Sequence, residues 1–170
     1  MEEVQIDEMK GKYIMENLMN VASYIFNRYY ETYGEKIDEM KLHKMLYFAQ
    51  RESFIRSKKP LFSETFYGWK YGPILKEIRI AYKENSFSDS VSDDVKKRIK
   101  PVMDKVFDEY ADKSSWSLSR ITHGEVSWRN SRKGIPEDAS SDNPIDINDI
   151  AVDAERVRRR RLGLSNLGSV

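Results

Sequence analysis

The chain contains no cysteine. That absence excludes disulfides, thiolate zinc sites, iron–sulfur clusters and thiol nucleophiles, and it is compatible with a reducing compartment. Nor does one sign of charge prevail. The 29 basic and 28 acidic residues leave a formal net charge of +1, which disfavours a globally basic nucleic-acid binder, and the charged fraction of 34% reads as a solvated surface. No apolar run approaches the roughly 18 residues needed to span a bilayer, and the N-terminal stretch lacks the basic-then-apolar order of a signal peptide. The expected location is the cytoplasm. Enzyme signatures are equally scarce: there is no G-x-S-x-G elbow, no Rossmann glycine fingerprint and no P-loop. His43 and His123 are the only histidines, two metal ligands at most, for which a surface or capping role is the plainer reading. His123-Gly124-Glu125 has the H-x-E form of zinc deaminases, but the P-C-x-x-C half of that signature is impossible here. Paired carboxylates such as Asp93-Asp94 and Asp108-Glu109 diverge around a helix instead of converging on a substrate. A small enzyme would rest only on His123, Glu125 and the nearby Trp128, so no catalytic residue, cofactor or metal is expected.

What the sequence does contain is helical periodicity. Its 170 residues suit one domain, or one domain with a tail. Ile14, Leu18, Val21, Ala22, Ile25 and Tyr29 form one helical stripe that Gly34 can end. Asp38 is placed to cap a second helix carrying Leu42, Met45, Leu46, Phe48 and Ala49, with Lys41 and Lys44 on the solvent side, running to about Ser57 before Lys58-Lys59-Pro60. From Glu64 to Tyr71 the pattern alternates, with Tyr67, Trp69 and Tyr71 on one strand face and Phe66, Gly68 and Lys70 on the other. Gly72-Pro73 then reads as the strand's end and a helix start, proline occupying the first helical position ahead of Ile74, Ile78, Ala81 and Tyr82. Ser92 or Asp93 caps a helix bearing Val95, Ile99, Val102, Val106 and Tyr110, which Pro101 kinks or divides in two. Ser114 or Ser115 caps a short helix through Leu118 and Ile121, residues 134–144 read as an exposed loop, and Asp146 caps a last helix with Ile147, Ile150, Ala154 and Val157. Leu162 to Val170 reads as frayed. The fold class is therefore mainly α: a single compact helical domain over residues 1–150 with a short strand or hairpin between the second and third helices. A basic helix end and tail occupy residues 151–170.

Two features are candidates for partner contact. Tyr67, Trp69 and Tyr71, with Trp116 and Trp128 further along, are large amphipathic side chains of the kind enriched at interfaces, although packing beneath helices fits them as well. Residues 1–150 carry 24 basic and 26 acidic side chains, whereas the tail carries five arginines, Arg156 and Arg158, Arg159, Arg160 and Arg161, against Asp153 and Glu155. Such a helix can neutralise phosphates in a salt-sensitive way, pair with an acidic protein, or simply suit the C-terminal helix dipole.

The run Lys41-Leu42-His43-Lys44-Met45-Leu46-Tyr47-Phe48-Ala49-Gln50, followed by Lys59-Pro60-Leu61-Phe62 and Trp69-Lys70-Tyr71-Gly72-Pro73-Ile74, resembles the Panacea (SocA-like) antitoxin domain. Leu118-Ser119-Arg120-Ile121-Thr122-His123-Gly124-Glu125 and Trp128-Arg129 resemble that family's second signature. The likeness covers roughly residues 15–135. It departs at His43, where the family commonly has Gln, and at Val126-Ser127, where a Pro often precedes the Trp. The resemblance implies a mainly helical antitoxin of bacteria or their prophages that contacts a toxin encoded by a neighbouring gene, either sequestering it or delivering it to a protease. It leaves open which toxin is met. The positions that carry it, Lys41, Leu42, Tyr47, Trp69, Gly72, Pro73, Thr122, His123 and Trp128, are expected either to hold the fold or to touch the partner. The alternative to an antitoxin is a nucleic-acid-binding or other regulatory module using the arginine-rich helix.

Overall fold

The computed structural model describes residues 13–164. Helices α1 (Leu18–Tyr33) and α2 (Glu39–Ser57) lead into a two-stranded antiparallel hairpin, β1 (Tyr67–Trp69) and β2 (Gly72–Ile74). Helices α3 (Lys76–Glu84), α4 (Asp93–Tyr110), α5 (Ser115–His123), α6 (Val126–Ser131) and α7 (Ile147–Arg161) follow. The mainly α class with a small hairpin is thus as expected.

The caps explain the helix boundaries. Asn17, Asp38, Ser92, Ser114 and Asp146 each accept a first-turn amide, and Gly34 closes α1 in the left-handed region at φ 72°. Each such side chain satisfies a donor that the helix leaves without an internal partner. Ile14 precedes α1 and is exposed, so it is not part of the stripe. Helix α4 is one helix, not two. Pro101 lies on its exposed face, where water can solvate the carbonyl that proline leaves without its amide donor.

Helix α2 is the axis of the molecule. It touches α1, α3, α4, α5, α7 and β2, and its residues from Lys41 to Ser53 are all buried. Lys41 and Lys44 therefore do not form a solvent face. Apolar residues occur at every phase of this helix, the mark of a buried one, so its polar side chains must find partners inside. Lys41 donates to the Tyr29 hydroxyl at 3.2 Å and the Ala111 carbonyl at 3.0 Å. Gln50 accepts from the Leu61 and Phe62 amides and donates to the Phe62 carbonyl, fixing the path out of α2.

The region after α2 differs most from expectation. The strand is three residues long, Tyr71 stands in the Lys70-Tyr71 turn, and Gly72-Pro73 belongs to β2, so α3 begins only at Lys76. Trp69 pairs with Gly72 and Tyr67 with Ile74. Residues 143–145 run along the other edge of β1, with Gly68 donating to Asn143 and Ile145 donating to Phe66, which covers an otherwise open edge. That pairing and Arg132, which donates to carbonyls of Pro136, Glu137 and Ala139, tether the 134–144 loop, most of which is exposed as expected.

Gly72 has φ 113°, where a side chain is strained, and a Cβ there would stand 2.6 Å from both Lys44 Cε and Thr122 Oγ1. Gly34 also has positive φ but faces open space. Gly72→Ala should lower unfolding free energy by at least ~2 kcal/mol, combining strain with overpacking. Gly34→Ala should lower it by about 1 kcal/mol. Urea titrations with unchanged m-values check both.

Candidate partner-binding site

An isolated two-stranded hairpin is barely stable in water. This one is held by side chains that seize its carbonyls. Arg132 donates to Gly68, Trp128 Nε1 to Trp69 at 2.8 Å, Ser119 to Tyr71 at 2.6 Å and Lys44 to Pro73 at 3.3 Å. His123 stacks on Trp128 with centroids 4.1 Å apart, and Trp69 Nε1 donates to Asp142.

Between the hairpin, the first turns of α2 and α3, and Asp142 lies a cavity of about 1020 Å³. Met40, Trp69, Tyr71 and Ile74 give it an apolar lining. Its charged groups are mostly paired. Glu39 accepts from His43 Nε2 at 3.0 Å and from Arg79 at 3.2 Å, while Asp142 accepts from Lys76 at 2.9 Å. His43 Nδ1 accepts the Leu75 amide at the start of α3, so the proton sits on Nε2. Burial lowers the His43 pKa and keeps the ring neutral, whereas the bond from His43 lowers that of Glu39. His43 is thus a capping residue, but a buried one. Lys44 is also buried, and burial lowers its pKa from 10.5 to about 7 although Asp38 and Glu39 oppose the shift.

The aromatics divide. Tyr67 and Trp69 are half-buried, with the Lys76 ammonium 4.0 Å from the Tyr67 centroid and the Arg79 guanidinium 5.1 Å from the Trp69 centroid. Tyr71 is 44% and Trp116 57% exposed, and they meet edge to face at 5.2 Å.

A second polar cluster lies in the core. Arg51 forms an ion pair with Glu125 and donates to the Tyr110 hydroxyl. The Tyr47 hydroxyl lies 3.3 Å from Glu125, 2.9 Å from Ser127 and 3.1 Å from Asp153. Asp153, from α7, accepts the Val126 and Ser127 amides at 2.8 and 2.9 Å and so caps α6 from a distance. Burial would lower the Arg51 pKa, but Glu125 beside it and the nearby tyrosines raise it, and the guanidinium stays charged. Burial, with Asp153 adding to it, raises the Glu125 carboxyl against the pull of Arg51.

The arginines of α7 do not act alike. Arg161 grips Glu52 through two bonds of 2.8 and 2.9 Å and reaches Glu109 at 3.4 Å; Arg158 grips its neighbour Glu155. Arg156 and Arg160 are exposed beside a groove of about 740 Å³, and Arg159 is half-buried. The five side chains therefore include intramolecular ties as well as exposed cations.

Most signature positions make contacts within the fold. Lys41 and Trp128 tie elements together, Leu42 is core, Tyr47 joins the buried cluster, and Gly72 and Pro73 form β2. Thr122 is buried and bonds back to Ser119 in its own helix. His123 faces Glu137 at 3.4 Å, and burial lowers its pKa. Glu125 is turned into the core, and among the described residues there is no cluster of histidines and carboxylates able to hold a metal. Lys44, Arg51 and Asp153 are not among the expected site residues, and Glu125, a candidate only for an enzyme, is a buried partner of Arg51; the apolar residues at every phase of α2 are the signal that its cations are interior.

A family model described as Antitoxin SocA-like, Panacea domain, matches residues 42–129. The chain belongs to this antitoxin-like family. No curated protein and no solved structure matches it. Among the described residues no helix is long and apolar enough to cross a membrane.

Glu125→Ala leaves the Arg51 guanidinium buried without its carboxylate and should destabilise by about 3–5 kcal/mol, whereas Arg51→Met combined with Glu125→Leu should recover much of that in a double-mutant cycle. For Lys44, the folded pKa of about 7 lies below the unfolded 10.5, so the unfolded chain holds the extra proton between those values. Its destabilising effect is full below pH 7 and is relieved as pH climbs toward 10.5. Lys44→Met should therefore raise stability most at or below pH 7, with the advantage shrinking by pH 9 in denaturant titrations.

Proposed function

We propose that this protein is the antitoxin of a toxin–antitoxin pair, acting by contact and not by catalysis, and that the face formed by the hairpin turn and the start of α5 meets the toxin. The observation that carries the reading is the exposed Tyr71–Trp116 pair, mounted on the segment that matches the family. Isolated exposed aromatics are common, but two that touch offer a ready anchor, and anchors of this kind dominate binding energy at interfaces. Tyr67 and Trp69 border the same face, and the exposed Arg156 and Arg160 offer a second contact region on α7. A nucleic-acid role for the tail is less supported, because Arg158 and Arg161 already hold intramolecular carboxylates.

Co-expression with the neighbouring gene product tests this. Rescue of growth with a stable complex is the outcome expected of sequestration; rescue with disappearance of the toxin indicates delivery to a protease. In the complex, Tyr71→Ala and Trp116→Ala should each weaken affinity about 30-fold, the effect of losing roughly 2 kcal/mol at an anchor, without shifting the thermal midpoint. A neighbour that is harmless, or toxic and not rescued, would overturn the reading.

A further inference from the structure

The hairpin cavity has an uneven charge balance. Glu39 is engaged by His43 and Arg79, and Asp142 by Lys76. Lys44 and Lys70, which also line the space, pair with no carboxylate among the described residues. The Lys70 ammonium lies 5.2 Å from the centroid of the Tyr71 ring. Lys44 is the unusual one, since its ammonium carries three donors and makes one bond, a 3.3 Å contact with the Pro73 carbonyl, while 1% of the residue is exposed. A buried cation in that state is costly until an anion meets it. Around it stand Asp38, which caps its helix, Glu39 and His43 within that helix, and His123 from α5. None of these contacts the ammonium.

We propose that this cavity is a carboxylate-binding pocket, in which Lys44 receives an acidic side chain or chain terminus of the partner protein while Met40, Trp69 and Tyr71 pack against an apolar or aromatic residue beside it. The proposal rests on the antitoxin reading for the identity of the partner, but the pocket chemistry stands apart from it. A cavity of about 1020 Å³ admits two or three side chains. Trp69 and Tyr71 extend it to the exposed aromatic pair, so one partner segment can engage both. Lys44 must be protonated to bind, and near neutral pH only part of the population is; apparent affinity therefore falls as pH rises, and binding draws in a proton.

Naphthalene-2-carboxylate, titrated calorimetrically into the full chain, probes the pocket without the toxin. It should bind, weaken at least 10-fold between pH 6.5 and 8.5, and take up protons at pH 8. Lys44→Met should weaken it at least 10-fold, and so should Met40→Glu, which brings a competing carboxylate to the half-buried rim without disturbing the core. The same two variants should weaken the complex with the neighbouring gene product at least 10-fold. Equal binding of the probe by wild type and both variants would overturn the pocket. Probe binding that depends on Lys44 alongside a toxin complex indifferent to both variants would overturn the assignment to a partner segment. A neighbour that never binds the wild type, with Lys44-dependent probe binding intact, would remove the antitoxin reading and support the pocket.

Discussion

The cap that Asp153 places on α6 governs the arrangement of the second half of the chain. A six-residue helix cannot stabilise itself, and α6 is short. Its first amides are bound by a carboxylate from a different helix, which also accepts from Tyr47. Tyr47 and Arg51 bring α2 into the same cluster, and Arg51 adds Tyr110 of α4, so four helices meet over a few polar atoms where burial makes each missing partner expensive. Trp128 then leaves α6 to grip the hairpin. A chain of constraints runs from α7, beyond the segment matching the family, to the turn that displays Tyr71.

The same economy of donors shapes the cavity. The hairpin makes little hydrogen bonding of its own, and its outward carbonyls go to Arg132, Trp128, Ser119 and Lys44. Three of these donors belong to α5, α6 and the residue just after α6. Lys44 alone approaches from α2 and borders the cavity, and its ammonium, with one bond for three donors, has donors to spare. The left-handed backbone at Gly72 makes this approach possible, since any side chain there would collide with the lysine stem. The signature glycine and the buried cation are thus one device.

Local features were legible in the sequence and distant ones were not. Asp38, Ser92, Ser114, Asp146 and Gly34 mark helix ends because capping depends on residues two to four positions apart. Gly72-Pro73 misleads because proline suits both a first helical turn and a short edge strand, and only Lys44 and Thr122 explain the glycine. The usual amphipathic pattern puts Lys41 and Lys44 in solvent, and it fails for a helix enclosed on all sides. Arg51, Glu125 and Asp153 showed no sign of partnership, because 74 residues separate the first two and Tyr47 lies 106 from Asp153. The resemblance located Tyr47 and Trp128 without their roles.

The turn bearing Tyr71 is anchored on both sides, through the Trp69 carbonyl by Trp128 and through its own carbonyl by Ser119. A ring presented on such a fixed mount loses little backbone freedom when something docks against it, because that freedom was given up when the chain folded. On the proposed reading, the shape such a partner meets is already in place. Relatives that meet dissimilar partners through an equivalent turn would diverge in the side chains the turn displays while keeping its path, so variability is to be sought in the identity of the residues at 70 and 71 and not in the length of the loop.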